Sequence, residues 1–200
     1  MDLWEMEREY HSRGIALVCG IDEAGRGPLA GPVCAAACVL PVGLELPGLN
    51  DSKKLSEKKR EALYPLIVSG ALAWAVCMID EKVIDAVNIL QATYLAMRGA
   101  VERLGLRPDL CLVDGNRDPG LGLPTQTVVK GDSLCACIAA ASVLAKVTRD
   151  RYMTKMDGLY PGYGFAVHKG YSTKAHYEAL DSLGLSPIHR RTFLKNYEQK

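Results

Sequence analysis

The chain has 200 residues, of which 48% are hydrophobic, and a formal net charge of +1; it holds enough apolar material for one sizeable core and is too mixed for disorder or a collagen-like repeat. No run of about 18 apolar residues is present, and the N-terminus "MDLWEMEREYHSRG" is acidic and mixed, so it reads as neither a membrane span nor a secretory signal. A cytoplasmic protein is expected. The seven cysteines include "CAAAC" (Cys34 to Cys38) and "CAC" (Cys135 to Cys137); without the C-x-x-C spacing of zinc or redox motifs, they read as reduced core residues.

In chain order, "ALVCGIDE" (Ala16–Glu23) and "VCAAACVL" (Val33–Leu40) are apolar runs separated by glycine and proline, the pattern of two strands. Ser56 is placed to cap a helix reaching about Val68, and "ALAWAVCMI" (Ala71–Ile79) reads as a third strand. One long helix is expected from about Glu81 to Leu104. Val83, Val87, Leu90, Tyr94, Met97, Val101 and Leu104 recur there at helical spacing on one face, and the stripe reads as core. "LCLVD" (Leu110–Asp114) and "TQTVV" (Thr125–Val129) follow as strands. The alanine-rich "SLCACIAAASVLAKVTRDRYM" (Ser133–Met153) reads as a buried helix capped near Asp132.

Early strands followed by alternating helix and strand favour an α/β fold with a mixed sheet flanked by helices. The last fifty residues are glycine-broken and basic. Residues 146–200 hold ten Lys/Arg against five Asp/Glu, and three of the four histidines. A small C-terminal helical region is expected, dividing the chain into 1–155 and 156–200.

Four acids sit at element ends in apolar context: Asp22 and Glu23 close one predicted strand, Asp114 closes another, and Asp132 opens the alanine-rich helix. Brought together without cations they would have to share protons, whereas divalent ions use their oxygens as ligands. A set without imidazole or thiolate suits Mg²⁺ or Mn²⁺. Two such ions about 4 Å apart align water and leaving group in a phosphodiester displacement. Each acid has a blander reading, since Asp132 also suits a helix cap and Asp114, in "VDGN", a turn. Successive strand residues face opposite ways, so Asp22 and Glu23 reach one metal only if the chain bends or Glu23 acts differently.

Beside the acids, the glycines of "GRG" (Gly25, Arg26, Gly27) allow close backbone approach to a ligand, or simply a tight turn. Ser52, Lys53 and Lys54 in "NDSKKLS" suit a phosphate backbone or a solvated helix entry. Lys146 and Arg149, at i and i+3, suit phosphates or an exposed helix end. His168, His176 and His189 read as surface or hydrogen-bonded structural residues rather than catalysts.

"GIDEAGRGPLAGPV", "LNDSKKLSEKKRE", "LVDGN", "KGDSLCACIAAASVLAKVTRD", "HKGYSTKAHYEAL" and "GLSPIHRRTF" resemble, in order and over nearly the whole chain, the motifs of bacterial ribonuclease HII. The resemblance implies a ribonuclease H-like fold with a C-terminal helical region. It also implies cleavage of the RNA strand of RNA–DNA hybrids, and of single ribonucleotides in duplex DNA, leaving 3′-hydroxyl and 5′-phosphate ends. By the same resemblance Asp22, Glu23, Asp114 and Asp132 are the metal-binding acids. The GRG loop then reads the ribose 2′-hydroxyl, Arg26 supports the loop or a phosphate, and Tyr171 stacks near the deoxyribose after the ribonucleotide. A monomer is expected, and "LKNYEQK" shows no sliding-clamp motif. Ribonuclease HIII is the nearest alternative, but its additional N-terminal domain has no counterpart before the first catalytic strand here.

Two other classes fare worse. Gly25-x-Gly27-x-x-Ala30, with Glu45 about 20 residues on, imitates a dinucleotide-binding fingerprint. Pro28 and Pro32 crowd the helix it requires, and two carboxylates repel a pyrophosphate. A catalytically idle hybrid-binding module has no use for four acids, and metal-dependent nicking of a labelled duplex separates it from a nuclease.

Overall fold

The computed structural model describes residues 2–195 and Tyr197, organised by a five-stranded sheet. Strands β1 (Val18–Ala24), β2 (Val33–Val39), β3 (Ala73–Ile79), β4 (Leu110–Asp114) and β5 (Thr125–Val128) lie in the order β3-β2-β1-β4-β5. β2 runs antiparallel to β1 and β3, whereas β4 runs parallel to β1 and β5. This is the mixed sheet expected, and every strand boundary falls within two residues of its sequence position.

The sequence "VCAAACV" of β2 is buried throughout, and its small side chains let helices approach both faces. Val33, Ala35, Ala37 and Val39 pack with Ala92, Ala96, Met97 and Ala100 on one side; Cys34, Ala36 and Cys38 pack with the alanines of residues 136–145 on the other. The second face is the tighter. A Cβ on Gly20 would lie 2.1 Å from the backbone carbon of Cys137, so that helix rests directly on β1.

Helix α1 (Glu5–Ser12) was not legible in the sequence pattern, and α2 (Glu57–Gly70) begins where the Ser56 Oγ accepts the Lys59 amide at 3.3 Å. The expected helix over 81–104 is two helices, α3 (Glu81–Val87) and α4 (Ile89–Glu102). Asn88 divides them with a φ of 72°. Its N–H closes α3 on the Ile84 carbonyl at 2.9 Å, while its Oδ1 accepts the Leu90 and Gln91 amides that open α4. Asparagine tolerates positive φ and caps helices, so an unbroken apolar stripe conceals the break. Helix α5 (Ala136–Leu159) starts later and ends later than expected, and α6 (Phe165–His168) and α7 (Lys174–Leu183) complete the C-terminal region.

That region packs Tyr163, Phe165, Leu180 and Ile188 against Met153 and Met156 of α5 and against Leu29 and Ala30. Residue 155, the expected division, lies inside α5. His176 and His189 are buried rather than on the surface, with their Nε2 atoms 3.0 Å apart. The His176 Nδ1 meets the Tyr171 carbonyl at 2.9 Å, and the His189 Nδ1 meets Ser186 Oγ at 2.7 Å. Burial pushes both imidazoles below their usual range, His189 to about 4. A base whose folded pKa is depressed stabilises the fold fully above its unfolded value of 6.5 and loses that contribution as pH falls towards about 4. Thermal unfolding across this window is expected to show a loss of roughly 2–3 kcal/mol that His189→Gln largely removes. Parallel pH profiles for the two proteins would contradict this.

Candidate active site

β1 and β4 are parallel and in register as far as Ile21 and Val113, so Asp22 and Asp114 follow side by side at the strand ends. Their neighbours Gly20 and Leu112 face α5, and strand alternation places both aspartates on that face. A 3₁₀ turn, Gly131–Ser133, presents Asp132 to them. One carboxylate oxygen from each of Asp22, Asp114 and Asp132 lies within 4.8 Å of the others. The Gly131 amide donates to Asp114 Oδ1 at 2.7 Å and ties the turn to β4. Asp132 is not the cap of α5. Cys135 occupies that position without a side-chain cap, and the Cys137 amide donates to Glu7.

Asp22 Oδ1 accepts the Glu23 amide at 2.7 Å, while its Oδ2 is buried with no donor among the described residues. Burial pushes the Asp22 carboxyl well above its usual range, and the charges of Glu23 and Asp114 push it further. Asp132 is raised by burial and by Asp114. Lys53 Nζ sits 3.3 Å from Asp132 Oδ2. Burial alone would lower this ammonium, but the charges of Asp22 and Asp132 raise it. One lysine does not balance three acids, and a buried carboxylate oxygen without a donor is costly unless a cation meets it. An all-oxygen set fits hard divalent ions such as Mg²⁺ or Mn²⁺.

The strand does not bend to bring Glu23 into this set, for Asp22 and Glu23 both keep their pairing with β2. Glu23 faces the other side and lines a cavity of about 370 Å³ with Arg26, Tyr94, Met97, Asp114 and Arg117. Burial raises its carboxyl, the Arg26 guanidinium 3.2 Å away partly offsets this, and Asp114 raises it again. Asp114 therefore borders both the three-aspartate cluster and the Glu23 cavity. Leu90, Tyr94 and Met97 belong to the α4 stripe read as core from the sequence; they also wall this cavity.

The loop after β1 is held by two buried arginines. Arg190 donates to the carbonyls of Gly25 (2.6 Å), Arg26 (2.9 Å) and Gly31 (2.9 Å). Arg149 donates to Pro32 (2.9 Å), Ala30 (3.1 Å) and Lys169 (3.0 Å). Gly25 has a φ of 92°, and a Cβ there would sit 2.0 Å from Arg149 Nε. Gly27 differs, since a Cβ there would meet nothing within 4 Å. Nothing among the described residues requires glycine at that position.

The ribonuclease HII family profile matches residues 19–196. The ribonuclease HII of Geobacter sulfurreducens is 56% identical over 191 residues, covering 96% of this chain and 88% of that protein. The chain belongs to the ribonuclease HII family. It is thus a ribonuclease H, an endonuclease acting on RNA–DNA hybrids. Among solved structures, the ribonuclease H2 of Pyrococcus horikoshii superposes with a TM-score of 0.76 at 28% identity, covering 91% of this chain and 96% of that one. The ribonuclease HII of Archaeoglobus fulgidus, solved in complex with PCNA, gives 0.74 at 27% identity over 87% of this chain and 93% of that one.

Against that ribonuclease HII background, several sequence readings need correction. Arg149 is fully buried, with 0% exposure, and its guanidinium is committed to loop carbonyls rather than free for phosphate. Ser52 is buried, with its Oγ 2.7 Å from Ser142 Oγ. Lys146 pairs with Asp150 at 2.8 Å. Lys53 and Lys54 remain at the surface, Lys53 against Asp132 and Lys54 against Ser133 Oγ at 3.2 Å. Tyr171 is 40% exposed, and its ring carries Lys146 Nζ at 5.5 Å and Arg149 Cζ at 5.8 Å. Arg190, in "HRR", was not singled out in the sequence, because nothing in the local pattern distinguishes it from a solvated charge. Residues 196 and 198–200 of "LKNYEQK", the segment read as lacking a sliding-clamp motif, lie outside the described residues.

Proposed function

We propose that the chain is a divalent-metal-dependent endonuclease that cuts RNA–DNA hybrids and single ribonucleotides in duplex DNA, leaving 3′-hydroxyl and 5′-phosphate ends. The observation that carries this reading is the donor-free, buried Asp22 Oδ2 within a cluster of three aspartates. Asp22, Asp114 and Asp132 would hold the metal, and Glu23 would complete the set from the Asp114 cavity. When bound, divalent ions neutralise these carboxylates and stabilise the attacking and leaving oxygens of an in-line displacement. The protein's own part is positioning. Arg149 and Arg190 fix the loop backbone, Gly27 leaves room for a sugar, and the exposed Tyr171 ring offers a stacking face beside that loop. Lys53 and Lys54 stand where a phosphate backbone would pass.

Incubation with a labelled duplex containing one ribonucleotide, with Mg²⁺, Mn²⁺ or chelator, tests the reading. Cleavage 5′ to the ribonucleotide with either ion, and none with chelator, is expected; chelator-resistant cleavage would overturn it.

Gly27→Ala is expected to leave the melting temperature nearly unchanged, because the new methyl meets no atom of the described residues within 4 Å. It should lower cleavage by about tenfold or more through obstruction of the sugar. Wild-type rates would place the substrate away from this loop. Tyr171→Ala should cost about 1–3 kcal/mol in cleavage at a lone ribonucleotide, with Tyr171→Phe nearly harmless. Equal losses for Tyr171→Ala on a long hybrid and on the single-ribonucleotide duplex would show that the residue only supports its loop.

A further inference from the structure

A second cluster of ligand-bearing side chains lies where α1 meets the start of α5. Leu3 and Glu7 dock the two helices, because the Ala136 amide donates to the Leu3 carbonyl at 2.9 Å and the Cys137 amide to Glu7 Oε1 at 2.7 Å. The sulfurs of Cys135 and Cys137 are 3.3 Å apart. Glu7 is 3% exposed and both cysteines are fully buried. One ligand atom from each of the three residues lies within 4.8 Å of the others.

Capping explains only half of the Glu7 carboxylate. Its Oε2 is buried against two thiols and has no hydrogen-bond partner among the described residues. Two thiolates on one tetrahedral ion, each about 2.3 Å from it, stand about 3.7 Å apart. The observed sulfur separation needs only a small side-chain rotation to match. Glu7 also lines a cavity of about 330 Å³ with Trp4, Arg8 and His11, which gives an ion a way in and a place for a water.

We propose that Glu7, Cys135 and Cys137 form a binding site for a soft divalent cation of the zinc class, separate from the aspartate cluster. Two Sγ–metal bonds form as two S–H bonds break, the two protons pass to solvent, and the Glu7 carboxylate supplies the third ligand. A water from the cavity takes the fourth position. The bound site carries a net charge of −1, which the amide-rich N-terminus of α5 favours. Sulfur donors distinguish it from the all-oxygen aspartate set. Its consequence is a clasp that fastens α1 to the helix underlying β1.

Cobalt(II) titration of the reduced full-length chain in excess Mg²⁺ tests the proposal, because thiolate-bound cobalt absorbs in the near ultraviolet and carboxylate-bound cobalt does not. One equivalent should produce the thiolate band, Asp22→Asn should keep it, and Zn²⁺ but not Mg²⁺ should displace it. Glu7→Gln should weaken cobalt binding by about tenfold or more. The double variant Cys135→Ser/Cys137→Ser, shown to be folded by its circular dichroism and its Mg²⁺-supported cleavage, should lose the band. A wild-type protein without the band would overturn the proposal. So would a band that persists in the double variant, since it would place the ion at other thiols such as Cys19 and Cys111.

Discussion

Asp22→Asn is expected to give a folded protein that still binds substrate but cleaves it on the order of 10³-fold more slowly. The amide is nearly isosteric and its Oδ1 can keep the Glu23 N–H, so the change removes charge rather than packing. Without added metal, the variant should be more stable than the parent. Burial, with the neighbouring Glu23 and Asp114, raises the Asp22 pKa in the folded state above the unfolded value of 3.8. An acid raised in this way contributes stability below its unfolded pKa and loses it as pH climbs through the folded one. The advantage of the variant, about 1–3 kcal/mol, should therefore appear at neutral pH and vanish towards pH 4. Thermal melts at both pH values check it, and a metal-free variant less stable than the parent at neutral pH would contradict it.

The second large effect is expected away from the acids. Arg190→Ala leaves three loop carbonyls, at Gly25, Arg26 and Gly31, without the donors now 2.6–2.9 Å away. It also opens a cavity where a fully buried side chain stood. A loss of about 3–5 kcal/mol is expected, a fall of roughly 10–15 °C in melting temperature. Arg190→Lys should rescue little, because one ammonium cannot reproduce a planar fork serving three acceptors. A wild-type melting temperature in Arg190→Ala would show that the loop is held by other means.

These two predictions divide along what the sequence discloses. The mixed sheet was legible because alternation and short apolar runs report strand burial directly, and "LCLVD" reads as a strand at its observed limits. The acids stood out because charge at the end of a buried strand is costly and therefore conspicuous. The opposite facing of Asp22 and Glu23 also followed from strand periodicity, and the register with β2 keeps it. What the sequence concealed were tertiary uses of ordinary-looking residues. Arg149 and Arg190 look like solvated charge until the fold surrounds them with carbonyls. Asn88 splits a helix whose apolar stripe continues across the break, and Glu7 caps a helix 130 residues away. Such roles depend on which backbone groups the fold leaves unpaired, and local pattern does not carry that information.

Calorimetric titration of Mn²⁺ into the parent protein and into Asp22→Asn reaches the central claim most directly. The parent should bind the ion and, at about 100 times its dissociation constant, gain about 2.7 kcal/mol of stability, some 5–10 °C in melting temperature. The variant, lacking the charged oxygen that has no protein donor, should show neither the heat nor the shift. Equal binding and equal stabilisation in the two proteins would mean that the three-aspartate cluster is not where the metal sits.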